Sequence, residues 1–157
     1  MSVQKLSNGA YIAADDDRAH QPWVAWLDLD YEFGGDGWAR IALRRPKPEH
    51  LNHYGRVNAP VIYGVAEAAG MTAVAVGAGS AGSGAYTVVR SATINYQRPA
   101  HGGVTATSSL GPEVTERVRQ ELEEGRGCDI DVDVSLSDAD NTPVGTCRFI
   151  VSLRPRR

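Results

Sequence analysis

Asn52-His-Tyr-Gly-Arg-Val-Asn-Ala-Pro-Val-Ile-Tyr-Gly-Val-Ala-Glu-Ala-Ala-Gly-Met-Thr-Ala-Val-Ala-Val76 is the stretch that decides the fold. A polar turn containing Gly55 leads into a segment that is almost wholly apolar from Ala59 onward. Asn58 suits a helix N-cap, because its side-chain oxygen can hold a free first-turn amide. Pro60 suits the first turn, where its missing N–H costs nothing. The spacing predicts a helix over Ala59–Val76. A helix apolar on all sides is a buried helix. Glu67 is its one charged side chain, and a carboxylate in such a place is expensive unless it is paired, hydrated or used. That conflict marks Glu67 as a candidate functional residue; the alternative is a carboxylate snorkelling to water at an interface.

On the amino-terminal side, residues 1–20 read as a polar lead-in, either partly disordered or a short helix. Residues 21–157 read as a single domain, of a size that can bury about 70% of its unfolded surface without staples. Trp23-Val-Ala-Trp-Leu-Asp-Leu-Asp-Tyr31 alternates in its second half and predicts a strand. Gly34-Gly-Asp-Gly37 turns the chain, and Trp38–Leu43 returns as a second strand. After the apolar helix, Gly77–Gly84 reads as a flexible connector. Strands are predicted over Tyr86–Tyr96, Val104–Leu110, Asp129–Leu136 and Val144–Leu153. Asp129-Ile-Asp-Val-Asp-Val-Ser-Leu136 alternates without fault, so one of its faces is apolar and the other wet. Val114, Val118 and Leu122 recur every four residues and predict a short amphipathic helix over Pro112–Glu124. The pattern is α+β. A long apolar helix needs cover, and one curved antiparallel sheet wrapped around it supplies that cover, with a dimer partner closing what remains.

The bulk properties exclude several functions. A net charge of −3 argues against a nucleic-acid partner, which requires a basic face; Arg154-Pro-Arg-Arg157 reads as a solvated tail. Cys128 and Cys147 match no metal-ligand spacing and fall in strand-like runs, as reduced core residues of a cytoplasmic protein do. The polar amino terminus with Asp15-Asp16-Asp17 does not fit a signal peptide. Proline, two glycines and a central glutamate argue that Ala59–Val76 is no membrane span. Gly77-Ala-Gly-Ser-Ala-Gly82 matches the dinucleotide fingerprint. However, that motif must open a helix and be followed by an acid about twenty residues on. Here a strand follows, and neither Asp nor Glu occurs between Gly77 and Glu113.

The helix entry resembles the acyl-CoA thioesterases of the hotdog superfamily. Phenylacetate-pathway and 4-hydroxybenzoyl-CoA thioesterases carry an Asn or Gln, a nearby Gly, often His-Gly-Gly, and an acid eight residues after the middle Gly. Asn52, Gly55, Asn58-Ala59-Pro60 and Glu67 fall on this pattern without a gap. Ile94-Asn-Tyr-Gln-Arg-Pro-Ala100 followed by Gly102-Gly103 is similar to the family's strand after the helix. The likeness spans about residues 23 to 154. It implies a hotdog fold, a curved antiparallel sheet around one long central helix, and hydrolysis of an acyl-CoA or acyl-carrier thioester. No cofactor is implied beyond the coenzyme A of the substrate. The chain departs from the family in having Asn58-Ala59-Pro60 for His-Gly-Gly and Met71 where some relatives have Thr.

Thioester hydrolysis needs a donor for the developing oxyanion and a carboxylate to attack or to activate water. The resemblance assigns the donor to the Ala59 N–H, reinforced by the helix dipole, while Pro60 removes the next donor. It assigns the carboxylate to Glu67 as general base or nucleophile. Ala59 and Glu67 stand about 12 Å apart along a helix, so one helix cannot bring both to one carbonyl. Two antiparallel helices in a two-fold dimer can, which implies a homodimer or a dimer of dimers.

Asn52 could hold the attacking water or the thioester oxygen, or simply satisfy loop backbone. Gly55 and Asn58 complete the loop that would meet substrate. Arg56 and Arg98 are candidate partners for the CoA phosphates. Two alternatives stay open. One is a non-catalytic acyl-binding or assembly protein, suggested by the loss of His-Gly-Gly. The other is a hydroxyacyl thioester dehydratase using His53 and Glu67, which stand fourteen residues apart.

Overall fold

The chain enters its central helix through extended backbone at Asn58, with φ −68° and ψ 142°. Helix α2 then runs unbroken over Ala59–Ala78. Asn58 occupies the N-cap position, but its side chain makes no capping hydrogen bond. Its backbone carbonyl instead accepts the N–H groups of Val61 and Ile62, both at 3.0 Å. A computed structural model describes residues 3–5, 11–13 and 22–155, the first two segments as backbone only.

Among the described residues, eight strands form one antiparallel sheet around this helix. They are β1 (Val3–Lys5), β2 (Tyr11–Ala13), β3 (Asp30–Gly34), β4 (Trp38–Leu43), β5 (Ala85–Tyr96), β6 (Val104–Ser109), β7 (Cys128–Asp138) and β8 (Pro143–Pro155), in the order β1-β2-β3-β4-β6-β7-β8-β5. This is the hotdog fold, as the resemblance implied. Five of the six expected strands and both expected helices are present, with at most small changes of end. Val114 is half-buried, and Thr115 takes the buried place beside Val118 and Leu122 in α3 (Pro112–Glu123).

Two expectations are corrected. Trp23–Tyr31 is not one strand: Pro22–Leu27 is a helical turn and a half, α1, and extended structure begins only at Asp30. Trp23, Trp26 and Leu27 stand at i, i+3 and i+4, which puts all three on one helical face. The short-helix alternative for the lead-in gives way to strand where it is described: Val3–Lys5 pairs with Tyr11–Ala13, and Tyr11 pairs with Phe33, extending the sheet. The rest of residues 1–20 lies outside the described residues.

The core is the apolar face of β4, β6, β7 and β8 pressed on α2. Ile130, Val132, Val134 and Leu136 of β7 point inward and are buried, while Asp131, Asp133 and Ser135 face out. On the wet side Arg148 of β8 grips Asp133 of β7 through two hydrogen bonds of 2.6 and 2.9 Å. Small residues let α2 come close: a Cβ on Gly70 would meet Phe149 at 3.2 Å and Val132 at 3.3 Å. At the far end Arg119 of α3 donates to the Gly77 carbonyl at 2.8 Å, holding one of the carbonyls a helix end leaves open.

Gly77–Gly84 is less a connector than a finish. Gly77 and Ala78 belong to α2, and Gly79–Gly82 makes a 3₁₀ turn that closes the helix. Glycines that end a helix cannot cradle a dinucleotide at the start of one.

By length and composition Ala59–Gly82 could cross a membrane, since its hydropathy reaches 1.5. Proline, glycines and glutamate therefore do not set it apart. Its surroundings do, because 67% of that apolar window is buried inside the fold.

Candidate active site

The cover over α2 is incomplete. Pro60, Tyr63, Glu67 and Met71 follow one another at spacings of three and four residues, so they form a stripe down one side of the helix. Pro60 is exposed and the other three are half-buried, whereas Val65, Ala69 and Ala73 on the opposite side are sealed against the sheet. Strand β5 borders this stripe. Thr87, Val88 and Val89 lie beside Glu67 and Met71, and at the other end the Tyr96 hydroxyl donates to the Ala59 carbonyl at 3.1 Å.

Glu67 sits on the wall of a cavity of about 490 Å³. Gly64 and Met71 of α2 line the cavity beside it, and Trp23 and Leu27 of α1 and Val88 of β5 complete the walls. Burial pushes the Glu67 carboxyl upward from its ordinary value, and among the described residues no neighbouring charge opposes that rise. Its own charge is felt by its neighbours. Tyr63, one turn earlier, is raised first by burial and then by Glu67. The Cys147 thiol is pushed up to about 11 by burial and by Glu67, which leaves it protonated and unreactive at neutral pH. A carboxylate half out of water beside an apolar cavity is suited to taking up a proton, because its charged form is poorly solvated.

The entry loop is well ordered by its own backbone. Asn52 Oδ1 accepts the N–H groups of Tyr54 at 2.9 Å and Arg56 at 3.1 Å. The Asn52 N–H donates to the Arg56 carbonyl at 2.8 Å, and the Gly55 N–H to the Asn52 carbonyl at 2.9 Å. Gly55 takes the left-handed φ of +69° that this turn needs. Asn52 thus does what the second of its two readings states: its oxygen satisfies loop backbone. Ala59 is exposed at the first position of α2, where an amide has no acceptor within its own helix.

Eight residues of continuous helix separate Ala59 from Glu67, so within one chain the two stay about 12 Å apart. His53 is exposed with its ring against Tyr54, 3.9 Å between centroids, and does not line the Glu67 cavity of its own chain. Arg56 is half-buried in the entry loop; Arg98 is exposed beyond β5.

Several site residues escaped the sequence reading. The α1 wall was masked by the strand-like alternation of Leu27-Asp-Leu-Asp-Tyr31. Tyr63 could have been found from its place one turn before Glu67. His50 is fully buried and joins the two parts of the site. Its Nδ1 accepts the Lys47 N–H at 3.2 Å, so Nε2 carries the proton and donates to the Trp26 carbonyl at 3.1 Å. Its own carbonyl accepts the Asn58 N–H at 2.8 Å.

Residues 37–153 match the family described as "Domain of unknown function (DUF4442)". No curated protein sequence matches the chain. Among solved structures, one similar fold is that of a Pseudomonas aeruginosa protein of unknown function, thought to be a thioesterase. It is 23% identical, with TM-score 0.72, over 85% of this chain and 87% of that one. A Haemophilus influenzae thioesterase is 18% identical with TM-score 0.66, covering 88% of this chain and 86% of its own. The PaaI protein from the phenylacetic acid degradation operon of E. coli is 17% identical with TM-score 0.65, covering 88% of both chains.

Proposed function

This chain belongs to the DUF4442 family, and from that premise we propose that it hydrolyses an acyl-CoA thioester, with Glu67 as the reacting carboxylate. The observation that carries the reading is Glu67 itself. It is the one charged side chain of an otherwise apolar helix, half-buried on the wall of the 490 Å³ cavity, with its carboxyl pushed upward by burial alone. The likeness of the fold to thioesterases adds support.

In this mechanism the ionised Glu67 takes a proton from a water molecule as that water attacks the thioester carbonyl carbon. The carbonyl oxygen becomes an oxyanion and is held by the N–H of Ala59. As the intermediate collapses, the C–S bond breaks and the thiolate leaves, taking the proton from Glu67. In the alternative form Glu67 attacks the carbonyl directly, giving a mixed anhydride that water then opens. A single turnover in heavy-oxygen water that leaves label on Glu67 shows the second form, with water opening the anhydride at its glutamyl carbon.

Because Ala59 and Glu67 of one chain cannot reach the same carbonyl, the donor comes from a second copy across a two-fold axis. Strand β5 offers the surface for it. It is an outer strand of the sheet, twelve residues long, paired among the described residues only with β8 and bordering the open stripe of α2. An exposed strand of that length is a ready template for another strand. Arg56 and Arg98 are the candidate contacts for the CoA phosphates.

A second reading rests on Asn58-Ala59-Pro60: with Pro at the second helical position, the first turn has one amide fewer for an oxyanion. In that reading the protein binds acyl thioesters without cleaving them. Thiol release from short, long and aryl acyl-CoAs tests both. Turnover by the wild type that Glu67→Gln removes supports hydrolysis; binding of acyl-CoA that stays intact over hours supports the second reading.

A further inference from the structure

We propose, building on the thioesterase reading, that the group held beside Glu67 is an uncharged, apolar acyl chain, and that Trp23 on α1 sets the length it accepts. The chemistry of the cavity limits the occupant first. Its walls are mainly tryptophan, leucine, methionine and valine, with the neutral side chains of Tyr31, Thr72 and Thr87 between them, and among the described residues no basic side chain lines it. An acyl group ending in a carboxylate would bring a second negative charge toward Glu67 with no cation to relieve either. A methyl-ended or aryl chain meets mostly apolar surface and no second charge, and burying it is favourable in proportion to its area.

The wall formed by Trp23 is built in place. Gly64 has no side chain where α1 crosses α2: a Cβ there would come within 3.1 Å of Leu27 and 3.2 Å of Trp23. The two helices therefore touch through the indole and the α2 backbone. Trp23 stacks on Trp26 at 5.0 Å and 21°, and Trp26 packs on the edge of the buried His50 at 4.4 Å. The His50 Nε2–H holds the Trp26 carbonyl, and the Lys47 ammonium pairs with Asp28 just beyond α1 at 3.4 Å. A six-residue helix is too short to hold itself, and these contacts hold it. Trp23 is nonetheless 47% exposed, as a residue at the mouth of a cavity must be. Met71 on the opposing wall is flexible enough to fit chains of different shape, which leaves Trp23 as the fixed stop.

The test is calorimetric binding of S-alkyl-CoA thioethers, which have no carbonyl to hydrolyse, from ethyl to dodecyl. A hexyl chain ending in a carboxylate is included for comparison. The expected result is an affinity that rises roughly three- to fourfold per methylene up to one chain length and then levels, with the carboxylate analogue at least about tenfold weaker than its methyl counterpart. Trp23→Ala should shift the levelling point to longer chains, and Trp23→Phe should return it toward the wild type. The unfolding midpoint of each variant shows that it is folded; should Trp23→Ala not fold, Trp23→Phe carries the comparison with a smaller shift. An affinity flat with chain length would overturn the proposal, as would equal binding of the carboxylate analogue or a levelling point that no Trp23 variant moves. Thioethers are not turned over, so this outcome is independent of hydrolysis. Chain-length-dependent binding without thiol release from acyl-CoAs would remove the thioesterase reading and leave the apolar pocket standing.

Discussion

The two sides of α2 differ in packing more than in composition. Toward the sheet, Val65, Ala69 and Ala73 have no exposed surface, and Gly70 lies so close to Phe149 and Val132 that a methyl group would crowd them. On the other side, Tyr63, Glu67 and Met71 are half-covered, and Glu67 and Met71 border a cavity. The first side carries the fold's stability. The second gives up that stability for an open space beside a carboxylate, where the proposed reaction would take place. One helix can serve both ends because a periodicity of 3.6 residues keeps the two sets of side chains apart.

The sharpest way to break this division is to exchange the expected outcomes. Glu67→Gln should lower kcat by at least about a hundredfold, as loss of a general base does, while the protein stays folded. Val65→Ala should do the opposite, removing roughly 2 kcal/mol of stability through a buried void and leaving the kcat of the folded fraction unchanged. Thiol release and urea unfolding on both variants decide the matter; if Val65→Ala proved the more damaging to kcat, the division would fail.

His50 ties α1 to the entry loop, so its loss should be felt on both sides of the comparison. His50→Ala leaves the part-buried Lys47 N–H and Trp26 carbonyl without their side-chain partner, a cost of about 1 kcal/mol in denaturant unfolding. It also frees α1, so KM for the best chain length should rise by more than kcat falls.

The remaining effects are smaller and depend on pH. Burial raises the Glu67 carboxyl, and only its ionised form acts as a base. The acid limb of kcat/KM should therefore lie above the pH at which an ordinary carboxylate titrates. The same shift acts on stability with a definite sign. A carboxyl whose folded-state pKa is raised favours folding most below its unfolded pKa, and that contribution is lost as pH rises through the folded value. Glu67→Gln cannot ionise. Its unfolding midpoint should match the wild type in acid and exceed it slightly at neutral pH. A variant less stable than wild type at neutral pH would show that the Glu67 charge is compensated in the folded protein.

What the sequence shows of all this follows from how local each signal is. The apolar run of α2 and the faultless alternation of β7 declare themselves within a dozen residues, so both elements were legible. Glu67 was legible too, as a charge where none belongs. Trp23–Tyr31 was not, because a helix of six residues carries too few turns to outweigh the alternation that follows it. The cavity was hidden for a different reason. Trp23, Glu67 and Val88 meet only through the tertiary fold, and spacing along the chain does not reveal which side of a buried helix is left uncovered. Asn52 could be read as ligand or as turn, and only the distances from Oδ1 to the Tyr54 and Arg56 amides assign its oxygen to the turn.

The central claim is that catalysis joins Glu67 of one chain to the Ala59 amide of another, and subunit exchange tests it directly. Ala59→Pro removes the donor with little else, since proline is well tolerated at the first helical position, and should cost about 100- to 1000-fold in kcat. Glu67→Gln removes the base. Unfolded together and refolded, the two inactive proteins should pair unlike in about half of the dimers, each with one intact site and one doubly damaged. Thiol release should then recover to about a quarter of the wild-type rate per chain. Heterodimers that form and remain as inactive as either parent would contradict the account.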